Sequence, residues 1–304
     1  MRKNKPLLLL LFAAFLPGAI PPAHATIRDR IKERVQQRME QHQEESAGEQ
    51  KAETLTLGSR TVAIWRPETT GRAPLILFSH GLNGCETQST FLTGALAQAG
   101  YFVAAPRHKD AICNGNGLSR AEESFIHTEN WSSQTHRDRR DDMIAVLNAL
   151  KEDPQLSPLI DFDNIGLLGH SLGGYTVLGL AGGWPDWKID NVRAVVALSP
   201  VCQPFVTHDT LSRIDRPVQY QGGTRDLGIT PGIKKQNGCY DQTAAPAMFV
   251  EFQGVGHFTF SDLQTKSHDS MTFYARNFFD RFMRGKNVEN LIDKRPDVTD
   301  LRSK

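Results

Sequence analysis

"IGLLGHSLGGYTVLGL", residues 165–180, is the stretch whose reading decides the fold. Residues 165–168 form a short continuous apolar run, the pattern of a strand buried on both faces. Residues 172–180 are apolar again and long enough for a helix. Between them, Gly169-His170-Ser171-Leu172-Gly173 fits G-x-S-x-G, and Gly174 follows. As a bare pattern this arises by chance about once in ten chains of this length, so the flanks must decide. A buried strand running in and a helix running out make it a nucleophile elbow. There a serine is held at a strained backbone angle, and glycines let strand and helix approach closely. Its hydroxyl then stands above the C-terminal edge of a sheet, where open α/β sheets place their sites.

Outward from the elbow the chain alternates strands and helices. Strands are expected over 55–57, 61–65, 74–79, 101–105, 192–198, 217–221 and 248–252, and helices over 88–99, 134–151, 172–180 and 267–283. Alternation of this kind means a mainly parallel central sheet with helices on both faces, an α/β fold. The catalytic unit is expected over 54–285. Residues 286–304 read as a polar C-terminal tail that adds little to the core.

A serine needs a base to become a nucleophile, and on this fold the order is serine, acid, histidine. His257 lies in "GVGHF", a glycine-bracketed loop just past the strand "MFVEF", and can turn its ring towards Ser171. His268 is the rival, but it opens a helix. The acid belongs after the strand between them. "PVQYQGGTRDLGITP" provides a strand, a glycine-rich turn and then Asp226, placed to hold the Nδ1–H of His257; Asp241, further along, is the runner-up. Asp215 precedes that strand and is at the wrong end of the sheet. The oxyanion hole is expected from two backbone N–H groups, those of Leu82 in "LFSHGLNG" and of Leu172 after the nucleophile. Leu82, Phe258 and Phe260 are expected to line the substrate pocket, whereas Trp184 and Trp187 in "GGWPDW" read as packing residues.

The N-terminus carries Arg2, Lys3 and Lys5, then an apolar run over 7–16, then prolines and Ala23-His24-Ala25. That is the order of a secretory signal peptide, over 1–25, with an apolar run too short to span a bilayer. Cleavage after Ala25 leaves 304 − 25 = 279 residues, with no transmembrane anchor expected. Residues 26–53 are polar and expected to be helical at the start, with Ile27, Ile31, Val35 and Met39 forming one thin apolar stripe. Lys and Arg number 35 against 34 Asp and Glu, so no basic stripe points to nucleic acid. Four cysteines in an exported chain favour two disulfides, and their spacing resembles no zinc site. The triad chemistry calls for no metal or cofactor.

"FSHGL" (78–82), "YFVAAPRHKD" (101–110), "GHSLGG" (169–174) and "GVGHFTFSDL" (254–263) together resemble the α/β-hydrolase superfamily over about residues 54–284. The resemblance is to the branch holding platelet-activating factor acetylhydrolases, dienelactone-hydrolase-like esterases and bacterial polyester hydrolases. Three departures mark this chain. Dienelactone hydrolases use a cysteine nucleophile where Ser171 stands. Plasma-type acetylhydrolases take their acid after the sixth family strand, where this chain has Leu198-Ser199-Pro200. Polyester hydrolases place an aromatic just after that strand, where Val201 and Cys202 stand. The resemblance implies the acylhydrolase machinery but none of the three named substrates; with the N-terminus, the expectation is a periplasmic or extracellular serine esterase working through an acyl-enzyme on a small-molecule or polymeric ester. A serine peptidase or acyltransferase on the same triad is the alternative, and a non-catalytic binding protein the remoter one. The fold also implies disulfides Cys85–Cys113 and Cys202–Cys239, since each pair follows two neighbouring strands at one sheet edge.

Overall fold

A computed structural model describes residues 51–115 and 117–304 of the chain. The expected signal segment 1–25 and the striped segment 26–50 lie outside the described residues.

The described residues form one nine-stranded sheet in the order β1-β2-β4-β3-β5-β6-β7-β8-β9. The strands are β1 (Glu53–Leu57), β2 (Arg60–Trp65), β3 (Ala73–Ser79), β4 (Phe102–Pro106), β5 (Ile160–His170), β6 (Val192–Leu198), β7 (Val218–Gly223), β8 (Ala247–Phe252) and β9 (Val298–Ser303). Strands β3 to β8 run parallel to one another, while β1 pairs antiparallel with β2, β2 with β4 and β9 with β8. Four longer helices cover the sheet: α1 (Thr90–Gln98), α2 (Arg137–Glu152), α3 (Leu172–Leu178) and α4 (His268–Arg284). This is the α/β-hydrolase fold, with a mainly parallel sheet between helices.

Strand side chains alternate between faces, so a sheet covered on both sides needs apolar residues at nearly every position. In β3, Leu75 and Leu77 join the core under α2 and α3, and Ile76 and Phe78 join the core under α1 and α4. Leu167 and Leu168 of β5 divide the same way. The apolar runs "PLILFS" and "VRAVVAL" are therefore central strands.

The tail reading is corrected by the structure. Residues 286–304 turn back and supply β9, which pairs with β8 through Val250↔Leu301 and Phe252↔Val298. Leu291 and Val298 are buried, and Thr299 donates its hydroxyl to Glu251 at 2.7 Å. Without β9, β8 would present an unpaired edge. Main-chain pairing satisfies that edge and leaves no apolar signature in the sequence.

Candidate active site

Chain geometry at the β5–α3 junction sets the position of Ser171. Its φ is 55° and ψ −116°, a conformation L-residues rarely adopt. A methyl at Gly173 would collide with the Ser79 carbonyl, and one at Gly169 with the Gly173 carbonyl. Bare α-carbons are therefore what permits β3, β5 and α3 to close on one another. The elbow is fixed by the Ser171 N–H donating to Leu198 O at 2.9 Å and by the Val201 N–H donating to Ser171 O at 3.1 Å.

His257 opens a short turn after β8 and reaches back across the sheet edge. Its Nε2 is 2.9 Å from Ser171 Oγ. On the other side of the ring, Nδ1 lies 3.3 Å from Asp226 Oδ1 and 2.8 Å from Ser199 Oγ. The Ser199 hydroxyl also bonds Asp226 Oδ2. Ser171, His257 and Asp226 are thus brought together at the ends of β5, β8 and β7. Asp241 bonds the Asn237 N–H instead. His268 faces Thr259 O at 2.9 Å and stacks on Phe91.

The two amides expected to form an oxyanion hole lie beside Ser171. Among the described residues neither the Leu82 nor the Leu172 N–H has an acceptor. Leu172 opens α3, where an unpaired N–H and the helix dipole favour negative charge. The Leu82 amide is oriented by its own peptide group. The carbonyl on the far side of that peptide, Gly81 O, accepts from Arg139 Nη2 at 3.1 Å, from His80 Nδ1 at 2.7 Å and from the Gly84 N–H at 3.0 Å. In a trans peptide N–H and C=O point in opposite directions, so clamping the carbonyl turns the Leu82 N–H away from Arg139.

Two buried polar networks hold these loops, and both went unread in the sequence. In the first, the Gln88 amide accepts from the Gly81 N–H at 3.2 Å and donates to His170 Nδ1 at 2.9 Å. His170 Nε2 then donates to the His257 carbonyl at 3.0 Å. One glutamine so ties together the oxyanion loop, the elbow and the histidine loop. Burial, and then the neighbouring His257, hold His170 well below the ordinary histidine range, which keeps the single proton this chain of bonds requires. In the second network Arg139, 1% exposed, grips His80 O at 2.7 Å and both oxygens of Asp110 at 3.1 Å. Burial alone would raise the Asp110 carboxyl, but Arg139 and His80 hold it down at about 2. His108 joins Ser79 Oγ to Asp142 Oδ2 at 2.9 Å on each side. That is a second serine–histidine–aspartate chain, but Ser79 and His108 are fully buried, so it supports the loop and meets no substrate. The signal available in the sequence was polar residues at positions that a buried strand edge and a helix face reserve for apolar ones.

A cleft of about 740 Å³ opens above Ser171 and His257. Leu82, Ile112, Leu118, Phe125, Ile126 and Phe258 line it. Leu82 and Phe258 are where they were expected, but Phe260 is not. It is fully buried and packs near His170, with ring centroids 6.1 Å apart. Trp184 and Trp187 are buried beneath the elbow helix and give their ring N–H groups to Tyr175 Oη and Ser133 O. Cys85 bonds Cys113 and Cys202 bonds Cys239, with Cα atoms 6.0 and 6.1 Å apart. The first bridge joins the loops after β3 and β4, and the second ties down the wall formed by Val201 and Cys202.

The chain is 28% identical over 237 residues to the platelet-activating factor acetylhydrolase of Canis lupus familiaris, covering 66% of this chain and 51% of that protein. It is 28% identical over 206 residues to the protein of the same name from Bos taurus, covering 56% and 45%. The chain spans about half the length of these curated relatives. A family model for chlorophyllase matches residues 32–214. The match takes in the oxyanion loop, the elbow and Ser199, and ends before Asp226 and His257. Extending over more than half of the chain and including the strand–serine–helix junction built above, it makes this protein a member of the chlorophyllase family of α/β-hydrolases.

Proposed function

We propose that the chain is an exported serine hydrolase that cleaves carboxylic esters through an acyl-enzyme intermediate. The observation that carries this reading is the 2.9 Å contact between Ser171 Oγ and His257 Nε2 at the floor of an apolar cleft. His257 takes the Ser171 proton as Oγ attacks the ester carbonyl. The negative oxygen that forms meets the N–H groups of Leu82 and Leu172, already aimed and without partners, so their reorganisation cost is small. His257, now an imidazolium steadied by Asp226, returns its proton to the departing alcohol. Water, activated by the same ring, then releases the acid. No step calls for a metal or cofactor.

The apolar lining supports an ester with a hydrocarbon portion in the cleft. The relatives' name, acetylhydrolase, fits acyl transfer to water. The two disulfides support an oxidising compartment, periplasmic or extracellular, and among the described residues no helix is long and apolar enough to cross a membrane.

The test uses a serine-reactive fluorophosphonate and a panel of p-nitrophenyl esters from acetate to palmitate, with a polyester film alongside. Wild-type protein should label at Ser171 and turn over part of the panel. Ser171→Ala should lose both properties while keeping its melting temperature. Turnover retained by pure Ser171→Ala would overturn the reading.

A further inference from the structure

His257 Nδ1 has two oxygen neighbours, and the nearer is not the carboxylate. Ser199 Oγ lies at 2.8 Å and Asp226 Oδ1 at 3.3 Å. Donor and acceptor counts fix the directions of the bonds. A carboxylate only accepts, so the Ser199 hydroxyl gives its one proton to Asp226 Oδ2. Thr230 Oγ1 accepts from the Gly223 N–H at 2.9 Å and gives its own proton to the same Oδ2 at 3.1 Å. Ser199 Oγ is left with lone pairs alone for the ring, so Nδ1 must carry the proton. Nε2 is then bare and able to accept from Ser171.

The backbone at Ser199 points the same way. Its φ is 41°, within the left-handed region that favours glycine. The residue is fully buried and pinned there by its N–H donating to Gln221 O at 2.7 Å. A buried turn with no use for a side chain would be better served by glycine, so the hydroxyl is the reason to look for a role. β6 and β7 are adjacent and parallel, with Leu198 opposite Gln221. Their ends therefore deliver Ser199 and Asp226 to one ring nitrogen.

We propose that Ser199 is a positioning residue, which accepts the Nδ1 proton of His257 and passes the orientation set by Asp226 to the ring. The proposal rests on the serine-hydrolase reading of the site. It makes the orienting element a hydroxyl–carboxylate pair: as the imidazolium forms, the Ser199 O–H polarises towards Asp226, and Oγ becomes a better acceptor for Nδ1–H.

The experiment uses the full disulfide-bonded chain as wild type, Ser199→Ala, Ser199→Gly, Asp226→Asn and the Ser199→Ala/Asp226→Asn double variant. The rate of fluorophosphonate labelling, kcat and KM on p-nitrophenyl butyrate, and the melting temperature are measured for each. Ser199→Ala should lower kcat roughly 10- to 100-fold, the worth of a hydrogen bond within a charged pair, with KM nearly unchanged. Ser199→Gly should be as slow but no less stable, because glycine suits φ 41°. It keeps the test open if the alanine variant folds poorly. The double variant should lose little beyond Asp226→Asn, since both residues act through one nitrogen. Wild-type labelling rates in both Ser199 variants, or losses that multiply in the double variant, would overturn the proposal. A wild-type chain that fails to label at all would overturn the hydrolase reading beneath it.

Discussion

Arg139→Lys is the sharpest probe of how the Leu82 amide is aimed. Arginine spreads its donors in a fixed fork, whereas lysine offers a single charged point. The substituted ammonium would stay with Asp110, whose half-buried carboxylate favours a cation. The contacts to His80 O at 2.7 Å and Gly81 O at 3.1 Å would then be lost. A hydrogen bond from a charged donor contributes at least about 1.5 kcal/mol, so two give roughly 3 kcal/mol. His80 and Gly84 still hold Gly81 O, which brings the expected loss to about 2–3 kcal/mol, or roughly 5–10 °C in melting temperature. Outright loss of one oxyanion donor costs about 10²–10³ in kcat. Here the donor remains but is less firmly aimed, and a fall of roughly 10- to 100-fold is expected, with KM little changed. Steady-state kinetics on p-nitrophenyl butyrate and a thermal melt measure both. A variant that loses stability yet keeps wild-type kcat would show that Arg139 serves the fold alone, and would refute the peptide-clamp reasoning.

Stability should fall as pH drops below about 6.5. His80, His108 and His170 are held below their ordinary range chiefly by burial, so the unfolded chain takes up protons that the folded chain refuses. Each such histidine costs about 1.4 kcal/mol per pH unit once below the unfolded value. Urea unfolding at pH 7.5 and 5.5 should show the loss, and equal stabilities would contradict it. Replacing Cys85 and Cys113 together by serine opens a loop of 28 residues and should cost roughly 3–4 kcal/mol in the chain-entropy account; a denaturant midpoint unchanged by the double substitution would count against it. Phe258, 60% exposed at the cleft mouth, should matter for long esters only. Phe258→Ala is expected to raise KM for p-nitrophenyl octanoate about tenfold, near 1.4 kcal/mol of apolar contact, and to leave the acetate alone; an equal change in both would place the ring off the acyl path.

The elbow is legible because its chemistry is local: a strand, two close glycines and a helix lie within sixteen consecutive residues. That an aspartate after β7 reaches the loop after β8 follows from parallel topology, which brings successive strand ends to one edge. Ser199, Gln88 and Arg139 are different. Apart from Gly81, seven residues from Gln88, the side-chain partners named for them lie 27 to 82 residues away, and hydrogen bonds over such distances leave no periodicity to read. Phe260 was misplaced for a local reason. Residues two apart share a side in extended chain, but His257–Phe260 is a turn of the tight helical kind, where two residues rotate the side chain by about 240°. Phe258 therefore faces the cleft and Phe260 the core.

The last strand of the sheet is also the last to be made. β8 carries the loop that ends in His257, and it gains its outer partner only when residues 298–303 have been synthesised. The nucleophile elbow, by contrast, together with the Leu198 and Val201 contacts that fix it, lies about a hundred residues earlier in the chain. Until residues 298–303 are in place, the strand that leads to the histidine has one bare side. During that interval the exposed flank of β8 is open to any extended segment that passes, including its own kind. In chain order, then, the strand that borders the base is completed after the one that carries the nucleophile.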